Sequence, residues 1–283
     1  MINSPIKWVG GKSRLRKQIV DLIPPHTCYV EPFAGAAWVL FGKPPSKVEV
    51  LNDIDQELVN FFQVVKHQPE ELIASFEWEL VSRAEFERLA ELDPTQLSNV
   101  ERAHRFYYII MAGWGGELDY PRFQTSITDG GHGNRLIGAL KTLRQRLMPV
   151  YERLRTVIIE NLDWQECLAR YDRQGTVMYV DPPYPDNKVN YVHNMRGWSQ
   201  HQLLAERLHQ TQCHWILSSY DTPEVRELFA QYHVIPVQTS SGMRVGKDDT
   251  RRVVNREVLI INFELPSFSS TLPMLFAQPD SEE

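Results

Sequence analysis

The chain predicts an α/β fold: a Rossmann-like, mostly parallel sheet with a terminal antiparallel strand pair, plus a mainly helical insert. Three observations predict it. Short apolar runs, often β-branched, alternate with helical patterns: Cys28–Glu31, Val48–Leu51, Thr156–Glu160, Thr176–Val180 and Trp215–Ser219. The alternation breaks over residues 69–154, where helical segments and a glycine-rich stretch replace strands. Val234–Val237 and Glu257–Phe263 then read as a closing antiparallel pair, joined by a long basic segment, 241–256.

The composition suits this fold. At 283 residues, with 42% hydrophobic and 23% charged content, the chain can bury one large core or a core with a sizeable insertion. Cys28, Cys167 and Cys213 lack metal-ligand spacing, so no metal is expected. No signal peptide precedes them, and no apolar run approaches the ~20 residues that span a bilayer. The expectation is a cytoplasmic protein with reduced thiols and no membrane contact. The net charge of −6 is unevenly spread. Lys7, Lys12, Arg14, Arg16 and Lys17 precede any acid, and Arg244, Lys247, Arg251, Arg252 and Arg256 crowd the late connection. Acids gather in 70–101 and at the C-terminus. A basic face on an acidic molecule is compatible with phosphate contact, as scattered solvated charge would also be.

In chain order, Lys7-Trp8-Val9-Gly10-Gly11-Lys12 opens with a glycine pair flanked by a stacking face and a cation. It lacks the first glycine of a Walker A loop; Trp8 serves either a ligand or simple packing on the core. Ser13 is placed to cap a helix starting near Arg14. Cys28–Glu31 runs into Pro32-Phe33-Ala34-Gly35-Ala36-Ala37 and a helix from Trp38, the opening of a nucleotide-binding βαβ unit. Only one glycine occupies that turn, which argues against a dinucleotide and suits a cofactor without a pyrophosphate, such as an adenosyl sulfonium. After the next strand, Asp53 stands near the spacing at which a carboxylate accepts from ribose hydroxyls. Asp55 is the better-placed cap for a helix over Gln56–His67, which leaves Asp53 freer to bind.

The insert reads as helices over Glu70–Glu79, Ala84–Leu92 and an aromatic-rich Arg102–Ala112, then a polar loop from Gly113 to Arg135 containing Arg122. Such a surface can read base edges or be a loop without a partner. A helix over 136–149 follows. Asp181-Pro182-Pro183-Tyr184 comes directly after the buried run Thr176–Val180, at the edge where open α/β sheets bind ligands. The prolines fix the backbone, so a carboxylate, a rigid carbonyl and an aromatic face converge within four residues. That set suits an exocyclic amino group on a flat ring: two acceptors for its two N–H donors and a ring to stack on. Pro185–Arg196 is a polar loop, Ser199 is placed to cap Gln200–Leu208, and Thr222 or Asp221 to cap Pro223–Gln231.

Taken together, these pieces resemble the Dam-type DNA adenine-N6 methyltransferase family. The carriers are Lys7–Lys12, Glu31–Ala36, Asn52-Asp53-Ile54, Asp181–Tyr184, Ser218-Ser219-Tyr220-Asp221-Thr222 and Glu257-Val258-Leu259. The likeness covers nearly the whole chain to about Phe263. It implies a methyltransferase catalytic domain over 1–68 and 155–265, a target-recognition insert over 69–154, and a flexible tail over 266–283. It implies S-adenosyl-L-methionine as cofactor, near Trp8, Lys12, Phe33, Gly35, Asp53 and Asp181. Catalysis falls to Asp181, Pro182 and Tyr184, which hold the amine of an adenine flipped from double-stranded DNA. Lys7 is implied near the recognised bases, with Arg122, Arg135, Arg244, Arg251 and Arg252 as DNA contacts. A cognate restriction endonuclease is one partner it allows, and stand-alone methylation is another. Where the family turn carries a further glycine this chain has Ala37, whose methyl is expected to narrow the cofactor cleft. Two other readings stand beside this one: an RNA or protein N-methyltransferase on the same fold, and a non-catalytic DNA-binding module that retains it.

Overall fold

The computed structural model describes residues 1–8, 10–114, 121–125, 133–185, 195, 197–244 and 252–265. Among the described residues one sheet holds β1 (Cys28–Glu31), β2 (Val48–Asn52), β3 (Val157–Glu160), β4 (Thr176–Val180), β5 (His214–Tyr220), β6 (His233–Arg244) and β7 (Arg252–Ile261). In space the order is β3-β2-β1-β4-β5-β7-β6. The first five strands run parallel, and β7 lies antiparallel to both β5 and β6. All of β4 is buried, as an apolar strand covered on both faces should be.

Alternate residues feed two cores, following the two-residue period of a strand. Tyr29, Tyr179, Ile216 and Leu259 join one. Val30, Met178, Leu217 and Ile260 join the other. The helices are α1 (Arg16–Leu22), α2 (Trp38–Gly42), α3 (Gln56–His67), α4 (Pro69–Ser75), α5 (Arg83–Glu91), α6 (Asn99–Ala112), α7 (Arg135–Lys141), α8 (Leu143–Leu154), α9 (Trp164–Tyr171), α10 (Trp198–His209) and α11 (Pro223–Leu228). Helices α4 to α8 share the first core with α3 and the sheet. Phe61 of α3 stacks on Tyr107 of α6 with centroids 5.8 Å apart. Ser98 and Glu101 form a capping box at the start of α6.

A buried charge triad fastens this helical layer to the sheet. Glu49 of β2 pairs with Lys43 at 2.7 Å and accepts from Arg153 of α8 on both oxygens. Arg153 also donates to the Leu40 carbonyl at 3.1 Å.

Several local expectations need correction. Ser13 does not cap α1; Leu15 precedes the helix without a side-chain cap. Helix α10 starts at Trp198, one residue before the expected cap Ser199, because Gly197 turns the chain with φ 89°. The expected helix 136–149 is two, α7 and α8, separated at Thr142, which leaves helical angles as its hydroxyl donates back to the Gly138 carbonyl. Thr222, rather than Asp221, caps α11. Much of the segment 241–256 is strand rather than connection, since pairing continues to Arg244↔Arg252 past an irregularity beyond Ser240. Helix α9, placed by its Asp163 cap, was not foreseen from the sequence. The expected tail 266–283 and most of Pro185–Arg196 lie outside the described residues.

Removing one member of the buried triad strands the other charges. Arg153→Ala should therefore lower unfolding free energy by roughly 3–5 kcal/mol in urea titration. A loss below about 1 kcal/mol, the range of surface pairs, would contradict this role.

Candidate active site

Strands β1 and β4 are parallel neighbours, yet the chain leaves β1 toward β2 and leaves β4 toward β5. The loops beyond their carboxyl ends therefore part, and open α/β sheets bind ligands in that crevice. The loop after β1 carries Pro32 to Ala37, and the loop after β4 carries Asp181 to Tyr184.

In the first loop Gly35 has φ +46°, and a Cβ there would lie 2.9 Å from the Trp8 ring. Glycine is thus required both by the turn and by the indole against it. Trp8 also packs near Phe106, with centroids 6.3 Å apart, so the packing reading of this residue is realised alongside its place at the loop. Ala37 has φ 52° and ψ 36°, a left-handed conformation. Its methyl is 1% exposed and packed in the core. Contrary to expectation it does not narrow a cleft; the missing glycine is felt as backbone strain of about 1–2 kcal/mol.

Asp55 caps α3, accepting from the amides of Glu57 and Leu58. Asp53 is also engaged: it accepts from the Gly35 amide at 2.9 Å and the Asp55 amide at 3.0 Å. Those bonds aim its carboxylate across the loop after β1. Asn52 locks the same edge, donating to the Pro32 and Leu162 carbonyls and accepting from the Leu162 amide. Phe33 stacks on Trp164 of α9 at 6.3 Å and 29°.

Asp181 leaves the end of β4 largely buried and pairs with Lys12 at 2.8 Å. Lys12 also donates to the Gly10 carbonyl at 2.8 Å and lies 4.9 Å from the Tyr184 ring centroid. Burial raises the Asp181 carboxyl above its ordinary range, the Lys12 cation opposes that rise, and the charge of Glu257 adds to it. Pro182 is buried beside it. Tyr184 is buried, donates to Glu257 of β7 at 2.9 Å, and meets the Tyr220 ring edge-on at 4.5 Å. Glu31 is buried behind this corner, accepting from the Tyr29 hydroxyl at 2.9 Å and the Leu40 amide at 2.7 Å. Burial raises its carboxyl from 4.5 to about 8, against the pull of those two donors.

Lys7 buries its amine without a hydrogen-bond partner among the described residues. Burial, then the charges of Arg135 and Arg146, lower it to about 8. Arg135 opens α7 and Arg122 lies exposed just after the glycine-rich stretch. The backbones of Arg244 and Arg252 pair in the β6–β7 hairpin, and Arg251 lies outside the described residues. The structure thus gathers Lys12, Asp181 and Tyr184 in direct contact, brings Trp8, Gly35 and Asp53 to one loop, and sets Lys7 near Arg135. The sequence assigns no role to Asn52, Arg146 or Glu257; Asn52 and Glu257 carried a usable signal, each standing in a motif that carries the resemblance.

The family model for D12 class N6 adenine-specific DNA methyltransferases matches residues 8–243. The chain is 25% identical over 276 residues to a Type II methyltransferase of Lactococcus lactis subsp. cremoris, covering 91% of this chain and 94% of the relative. It is 27% identical over 265 residues to the DNA adenine methylase of Salmonella typhi, covering 88% and 92%. It is 26% identical over 236 residues to a Type II methyltransferase of Paramecium bursaria Chlorella virus NC1A, covering 80% and 86%.

The buried Glu31 couples folding to pH. Its carboxyl is raised from 4.5 to about 8 on folding, so the folded chain holds a proton that the unfolded chain has released between those values. Its contribution is fully present below the lower value and is lost as pH rises toward the upper one, at up to about 1.4 kcal/mol per pH unit. Glu31→Gln should flatten the fall of stability across that window in denaturation at several pH values. An unchanged slope would contradict the assignment.

Proposed function

From the premise that this chain belongs to the D12 class of N6 adenine-specific DNA methyltransferases, we propose that it transfers the methyl group of S-adenosyl-L-methionine to N6 of an adenine flipped out of duplex DNA. The observation that carries the reading is the buried corner in which Asp181, Lys12 and Tyr184 touch one another at the end of β4.

The residues around the crevice fit the cofactor's chemistry. Asp53 is a carboxylate whose direction is fixed by the Gly35 and Asp55 amides at the end of β2, the acceptor type a ribose diol takes. The stacked Phe33 and Trp164 rings offer a face to adenine. Gly35 and Trp8 shape the backbone between them. When bound, this cofactor supplies an electrophilic methyl group on a cationic sulfur.

The chain's own residues then act on the target base. Asp181 and the Pro182 carbonyl accept the two N6 hydrogens, which holds the nitrogen lone pair toward the donor. The Tyr184 ring receives the base by stacking, offsetting the few kcal/mol of unstacking. Positive charge that builds on N6 is met by a carboxylate fixed in a dry site, where it acts without reorganisation. Lys12 opposes the effect of burial and so favours the ionised Asp181 that this role needs. Lys7, Arg135 and Arg146 form a cationic group beside the helical layer, suited to base acceptors or phosphate oxygens. Arg122 lies exposed, and Arg244, Arg251 and Arg252 are further candidate DNA contacts by their charge.

Asp181→Ala should abolish methyl transfer in a tritiated-methyl assay while DNA binding stays measurable. Turnover near wild type in that variant would refute the role. Asp53→Ala should weaken the cofactor more than DNA in calorimetric titrations of each; equal losses would count against its placement.

A further inference from the structure

We propose that Glu257 is a positioning residue for methyl transfer, acting through the hydroxyl of Tyr184. The inference rests on the reading above in which Tyr184 receives the target base. An aromatic platform must present its ring at one tilt, and a tyrosine ring can be held by its far end. Here the Tyr184 hydroxyl donates to Glu257 Oε2 at 2.9 Å, with both residues buried. The Tyr220 ring meets it edge-on at 74°. Glu257 itself is fixed by the sheet, because it pairs in register with Tyr220 of β5 and Val237 of β6. The platform is therefore anchored to the antiparallel end of the sheet, while Asp181 is anchored to the parallel centre. A tyrosine is needed rather than a phenylalanine because only its hydroxyl reaches this anchor.

The same carboxylate lies close enough to Asp181 to affect its titration. The charged or titratable groups facing this corner are Lys12 from the opening loop, Glu31 of β1, Tyr179 of β4, Tyr184, Tyr220 of β5 and Glu257 of β7. Of these, Lys12 and the Tyr184 hydroxyl favour the ionised Asp181 and Glu257 disfavours it. Removing the Glu257 charge should shift the acid limb of activity to lower pH.

The test is a double-mutant cycle on kcat with plasmid DNA and tritiated S-adenosylmethionine, alongside thermal unfolding of each variant. Loss of a buried bond to a charged acceptor predicts that Glu257→Ala lowers kcat by about 10- to 100-fold with little change in cofactor KM. Glu257→Gln keeps an acceptor for the hydroxyl, so it should restore most of kcat and move the acid limb of the pH profile downward. In a Tyr184→Phe background, where the hydroxyl is gone, Glu257→Ala should add no further loss. An equal loss in both backgrounds, or a wild-type kcat for Glu257→Ala, would overturn the inference. Tyr184→Ala separates the two readings. If it is inactive while Glu257→Ala is normal, only the anchor fails; if it turns over normally, the platform itself fails.

Discussion

Everything in this molecule depends on keeping one carboxylate in a dry corner at the end of a buried strand. Asp181 emerges from β4, the strand most completely covered, and burial drives it toward protonation. Lys12 counters that drive at 2.8 Å, and the Gly10 carbonyl holds Lys12 in place. A free carboxylate in water would be cheaper, but in the proposed role its hydration shell would compete for the amine hydrogens. The opening loop of the chain therefore holds the loop after β4 directly, despite the length of sequence between them.

The sheet order makes this convergence available. Because β1 and β4 lie side by side and their chains leave in opposite directions, the loop with Gly35 and the loop with Asp181 leave the same edge of the sheet at its switch point, where open α/β sheets bind ligands. Asp53 and Asn52 then tie the end of β2 to the same edge through hydrogen bonds rather than packing. The helical layer of α4 to α8 is held against the sheet by a shared core and by the Lys43–Glu49–Arg153 triad. A buried triad contributes modestly to net stability, yet it fixes where the layer sits relative to the crevice.

The strands that place the site were legible because they are apolar runs with clear ends, and Asp181 was legible because two prolines follow it. The cap at Asp55 followed from position alone and is present. Longer-range chemistry was less visible. Asp53 reads as free in sequence, yet two backbone amides hold it, a consequence of how the β1 loop folds over β2. Strands β6 and β7 are longer than their apolar cores because polar residues such as Gln238 pair with Arg256 in an edge hairpin. Helix α9 escaped because its amphipathic stretch lies between two strand-like runs. No sequence rule pairs Tyr184 with Glu257; the register of β5 with β7 does.

The central claim is that this corner delivers a methyl group to the exocyclic amine of adenine. The most direct measurement is nucleoside mass spectrometry of duplex DNA after reaction with isotope-labelled S-adenosylmethionine. The account predicts label in N6-methyl-2′-deoxyadenosine alone. Label confined to N4-methylcytosine, or found in RNA or protein and not in duplex DNA, would contradict it.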